Sequence, residues 1–128
     1  MTGVVPSSAV DDEREAELHQ SYEHALERDD PIELQRLVLD VALQSESREW
    51  AECTCADLAR HRNAHVRGNA LLGFGHLARR FGALDRRRVQ RLVEKGLFAH
   101  HEYVREQAQS AAQDLETFLS WHFDPTLL

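Results

Sequence analysis

Val66–Asp85 reads VRGNALLGFGHLARRFGALD, and its spacing decides the fold. Val66, Ala70, Gly73, Phe74, Leu77 and Phe81 recur at steps of three and four, the period of one helical face. Three glycines, Gly68, Gly73 and Gly75, sit inside that helix. Each costs about 1 kcal/mol against alanine in an exposed helix interior. A helix that keeps them is expected to let something approach its backbone, either a neighbouring helix or a partner. Gly82 suits the left-handed position that ends such a helix.

The same signals extend in both directions. Downstream, Asp85 caps a fifth helix to about Phe98, with Val89, Leu92, Val93, Leu97 and Phe98 inward. A tight turn at His100 and His101 leads to a sixth, running to about Trp121 on Val104, Ala108, Ala111, Ala112, Leu115, Phe118 and Leu119. Asp124-Pro125 ends it. Upstream, Asn63 caps the opening stretch, and a third helix spans about Arg48 to Arg60. The second, Pro31 to about Leu43, has Asp30 as cap, Pro31 at its first position and Glu33 reaching back. It presents Ile32, Leu34, Leu37, Val38, Val41 and Ala42. A first helix runs from a cap at Ser8 to Arg28 on Ala16, Leu18, Tyr22, Ala25 and Leu26, after a flexible lead-in, residues 1–10. No stretch alternates like a strand. The fold class is all-α, one domain over residues 11–128 of about six antiparallel helices.

An internal repeat links these helices. Val66-Arg67 recurs 38 residues later as Val104-Arg105, and at that offset Ala70 meets Ala108, Gly73 meets Ala111 and Leu77 meets Leu115. The preceding helices align too, Ala51 over Val89 and Cys55 over Val93. This helix-pair unit resembles HEAT repeats, with good repeats at about 48–81 and 85–120 and a poorer first pair at about 11–43. The resemblance implies a short α-solenoid of stacked pairs. It also implies that Arg67 and Arg105 pair with acidic groups of a neighbouring repeat. Arg67-Gly68-Asn69-Ala70, Leu72-Gly73-Phe74-Gly75-His76-Leu77-Ala78-Arg79 and Ala111-Ala112 with Asp114-Leu115 and Phe118-Leu119 look like a family of small bacterial HEAT-like proteins. Members of that family look like stand-alone interaction proteins, and some similar proteins are immunity partners of interbacterial toxins.

Charge is unevenly spread. Residues 1–57 carry 15 acids and 4 bases, a charge of −11; residues 58–128 carry 7 acids and 11 bases, a charge of +4. The first half favours a basic partner. Arg79, Arg80, Arg86, Arg87, Arg88 and Arg91 form a basic cluster suited to a nucleic-acid backbone, but the acidic chain as a whole disfavours that partner. Cys53 and Cys55 would diverge by about 200° around a helix, so a disulfide between them is not expected. Cys53, Cys55, His61 and His65 match no standard zinc spacing, and neither metal nor cofactor is expected. No apolar run is long enough to span a membrane, and MTGVVPSSAV lacks the features of a signal peptide. A cytoplasmic location is the expectation.

No nucleophile–base–orienter set or phosphate loop is visible, so the chain is read as a non-enzymatic protein-binding module. Its most concrete form is an immunity protein that neutralises a cognate, basic toxin domain such as a nuclease. Nucleic-acid backbone binding through Arg79–Arg91, or a regulatory scaffold for a cellular enzyme, is the alternative. Two candidate surfaces follow. Trp50 beside Glu46, Glu49 and Glu52 would be an aromatic anchor in an acidic setting. Asn69 and His76 on the fourth helix would join Gln107 and Asp114 on the sixth as a polar strip across a concave face.

Overall fold

The computed structural model describes residues 7–124, with side chains from residue 10 onward. Within that range the fold is all-helical. The helices are α1 (Ser7–Arg28), α2 (Pro31–Gln44), α3 (Arg48–Leu58), α4 (Ala64–Phe81), α5 (Arg86–Leu97) and α6 (Glu102–Leu119). None of them is long and apolar enough to cross a membrane. The lead-in reading of residues 1–6 and the role given to Pro125 lie outside the described residues. Residues 7–10 are already helical, so Ser8 stands inside the first turn of α1 and is not its cap.

The 38-residue period is built into the helix ends. Ser47 caps α3 and Asp85 caps α5, each accepting a backbone N–H with its side chain. Asn63 and His101 do the same for α4 and α6. At the far ends Gly82 and Ser120 both take left-handed conformations, φ 69° and 56°. Each equivalent pair is 38 residues apart. The side chains differ at every one of these caps, but each meets the same demand, which is a partner for an orphan backbone group.

α4 occupies the centre. It packs on α2 and α6, while α1, α3 and α5 pack on α2, α4 and α6 respectively. Apolar positions of the repeat fill the interior: Val66, Ala70, Leu77, Val89, Val93, Val104, Ala108, Ala111 and Leu115 are all buried. The α4 glycines admit neighbouring helices. A methyl group at Gly68 would lie 2.7 Å from the Tyr103 ring of α6. One at Gly75 would lie 3.0 Å from Asp114 Cβ of the same helix. At Gly73 it would meet Cys55 Sγ at 2.9 Å and Ala42 Cβ at 3.3 Å. The space beside all three is therefore filled by this chain.

Several local expectations change. Glu33 does not reach back to its own helix start; it binds Arg28, with Nε donating at 3.0 Å. α6 stops at Leu119, before Trp121, because the left-handed Ser120 turns the chain. The turn lets Trp121 donate to Leu115 O at 3.3 Å and buries Trp121 and Phe123, which a straight helix would carry away from the core. Leu26 and Phe118, read on the apolar sides of α1 and α6, are 43% and 44% exposed, and Phe98 departs further. It sits one residue past α5, beyond the helical register, and is 68% exposed. Ile32, at the first turn of α2, is 78% exposed.

Candidate functional site

The polar strip expected on a concave face is largely consumed between helices. Asn69 is buried, and its Nδ2 donates to Gln35 O of α2 at 3.0 Å. The Tyr103 hydroxyl of α6 donates to its Oδ1. Burial holds the Tyr103 phenol above its ordinary pKa, with Glu106 adding, so it remains a donor. One amide thus ties α2, α4 and α6 together. Gln107 lies over Gly68 and Asp114 over Gly75, both half-buried. His76 is half-buried, and its buried Nδ1 has no hydrogen-bond partner among the described residues. Burial and the nearby Arg79 lower its pKa against the pull of Asp114.

The acidic cluster around Trp50 also divides. Glu52 is 2% exposed and faces inward, so it is not a surface contact. Its carboxylate accepts from Arg48 Nη1 at 3.1 Å, from the Asp85 backbone N–H at 2.9 Å and from Arg88 Nη2. It joins α3 to the capped start of α5. Trp50 is no free anchor either: His19 stacks on its ring with centroids 3.6 Å apart, and Tyr22 meets it edge-on. Glu46 and Glu49 remain on the surface.

Among the described residues, Arg67 and Arg105 do not pair with acids of a neighbouring repeat. Arg67 Nη1 donates to His61 O and Arg62 O at 3.1 and 2.9 Å. Arg105 Nη1 donates to Ala99 O and His100 O at 2.8 and 2.7 Å. Each closes the turn of its own pair, because the free carbonyls there lie within reach of the second helix's first turn. Arg80 does similar work across helices, donating to Ala42 O and Ser45 O at the end of α2. With Arg88 bound to Glu52, the arginine cluster retains Arg79, Arg86, Arg87 and Arg91 as exposed members.

A cleft of about 730 Å³ lies between α1 and α2. Asp11, Glu15, Glu17, Glu33, Asp40 and Glu46 line it, against Arg14 and Arg36. Glu15, which sequence reasoning missed, anchors the cleft wall. It accepts from Ser45 Oγ and from the Glu46 N–H, both at 2.7 Å, and meets His19 Nε2 at the same distance. Burial alone would raise its pKa, but these hydrogen bonds outweigh burial and hold it below the usual value. Its only local signal was His19 four residues on; Ser45 and Glu46 are 30 and 31 residues away.

The cysteine–histidine group is dispersed. His61 Nε2 meets Asp29 Oδ1 at 2.8 Å, and the His65 ring packs on His101 and Tyr103. Among the described residues no group of three or more His, Cys, Asp or Glu is placed to hold a metal ion. Cys53 is exposed and Cys55 fully buried. Burial, with a smaller contribution from Glu52, pushes the Cys55 thiol up to about 12. A disulfide reagent at neutral pH should therefore modify Cys53 alone in the native protein and both thiols in urea. Native labelling of Cys55, read by peptide mass, would contradict this packing. Comparison with protein-family models, curated proteins and solved structures finds no match to this chain.

Proposed function

We propose that this chain is a protein-binding module that offers the α1–α2 cleft to a basic partner. The observation that carries the reading is the lining of that cleft, six carboxylates against two guanidinium groups, with Glu33 paired to Arg28 from outside the lining. Such a field draws a cationic partner in and sets its orientation. The cleft also has a firm frame, since Glu15 fixes the α2–α3 turn and Arg80 fixes the end of α2. Preformed walls reduce the ordering cost of docking.

In its most specific form the module is a cytoplasmic, HEAT-like immunity protein that covers the active site of a basic toxin domain, such as a nuclease. Small size, acidity and the motif resemblance of Val66–Asp85 support that form. The test begins with the tagged chain in its own cell, where a stoichiometric partner should co-purify. Glu17→Lys and Asp40→Lys, both in the cleft lining, should weaken that complex about tenfold or more, chiefly through slower association at low salt. Circular dichroism should show an unchanged fold. No stoichiometric partner, or a complex indifferent to both substitutions, would remove this reading. Nucleic-acid backbone binding is a weaker second reading, because Arg80 and Arg88 are already committed within the fold.

A further inference from the structure

A second groove, of contrary charge, shares no lining residue with the α1–α2 cleft. It runs between the α3–α4 and α5–α6 turns and has a volume of about 830 Å³. Its floor is apolar, made by Leu71, Leu92 and Val104. These are buried core residues, so the floor is rigid. Arg60, Arg62 and Lys95 stand on its rim, and Phe98 and His100 line it, but no Asp or Glu does. Arg62 already reaches Asp29, whereas Arg60 and Lys95 are exposed.

Phe98 is the detail that a simple cationic patch does not explain. It is a large aromatic side chain, 68% exposed, at the edge of an apolar depression. An exposed aromatic beside an apolar depression supplies an anchor on which another chain's apolar side chain can be seated. Cations around such a pocket select the charge of what surrounds the anchor. A nucleic-acid backbone would use the cations and leave the aliphatic floor unfilled.

We infer that this groove binds an acidic peptide segment of a partner protein, seating one or two apolar side chains on Leu71, Leu92 and Phe98 while its carboxylates meet Arg60 and Lys95. The partner is distinct from the basic one assigned to the α1–α2 cleft, and neither assignment depends on the other. The arrangement matches the groove-and-anchor mode by which amphipathic segments are recognised.

The full chain would be titrated into a fluorescein-labelled peptide of about 15 residues, built from Glu and Leu at helical spacing. Anisotropy would be read at about 0.15 M salt. Saturable one-to-one binding is expected. Arg60→Glu with Lys95→Glu should weaken it about tenfold or more. Phe98→Ala should weaken it by a factor of about five. Glu23→Lys, on α1 and outside both grooves, should not weaken it. All these positions are exposed, and circular dichroism checks that each variant is folded. The proposal is overturned if polyglutamate of the same length binds as tightly, since the floor would then be idle. It is overturned if single-stranded DNA of similar length binds more tightly. It also fails if the groove substitutions change nothing. Concentration-dependent self-association by sedimentation, abolished by Lys95→Glu, would assign the groove to a second copy and sink it too.

Discussion

Glu52→Ala is expected to destabilise the fold by about 3 kcal/mol, lowering the melting temperature by roughly 10 °C. The carboxylate is buried and takes three donors from two elements, Arg48 of α3 and both the Asp85 N–H and the Arg88 side chain at the start of α5. Its loss strands the Asp85 amide. It also leaves Arg88 without its carboxylate, holding only the Nη1 contact to Cys53 Sγ at 3.6 Å, at a position where its buried Nε already has no hydrogen-bond partner among the described residues. Arg48 and Arg88 are each 35% exposed, which places the cost at the lower end of the range for broken buried pairs. Glu52→Gln keeps the shape and one acceptor, and should cost about half as much. Glu49→Ala, three residues away and on the surface, should stay within about 0.5 kcal/mol of the parent. Urea titration of the three variants decides it. Equal midpoints for Glu52→Ala and Glu49→Ala would mean that the carboxylate holds nothing together.

Gly75→Ala should also destabilise, although alanine is the better helix former. The intrinsic gain is about 0.5–1 kcal/mol. Against it stands Asp114, whose Cβ and Cγ would lie 3.0 and 3.1 Å from the new methyl group. A Cβ is fixed to its backbone, so α6 itself must move away from α4. Overpacking of that kind costs about 1–3 kcal/mol, giving a net loss of up to about 2.5 kcal/mol. Gly68→Ala should be affected less, because the Tyr103 ring can tilt, at the expense of its bond to Asn69. A higher melting temperature for Gly75→Ala would show that the space beside it is open, and would return that glycine to a role in partner binding.

The helices were legible because the interactions that begin and end them are short. Asp30 accepts from Ile32 N, Asn63 from His65 N and Val66 N, and Asp85 from Arg88 N. Each contact spans two or three residues, so each leaves a mark in the sequence. The 38-residue offset was legible for a related reason, since two pairs that bury equivalent faces keep apolar residues in equivalent places. Phe98 and Ile32 were misplaced inward because a periodic pattern says which side of a helix is apolar, not whether a neighbour covers every turn of it.

The polar residues behaved differently. Composition placed Glu46, Glu49 and Glu52 in one acidic run, yet packing put Glu52 inside and left the other two in solvent. Asn69 looked like part of a binding strip until its partners proved to be Gln35 and Tyr103, each 34 residues away. Glu15 had no visible role until α1 lay beside the α2–α3 turn. Local periodicity and capping therefore specified an all-helical chain with a repeated pair, including the residues that cap α2, α4 and α5 but not the start of α1 or the end of α6. Docking of the helices specified which charges are structural and which face outward. A carboxylate's role depends on what surrounds it in space, and those neighbours come from other helices.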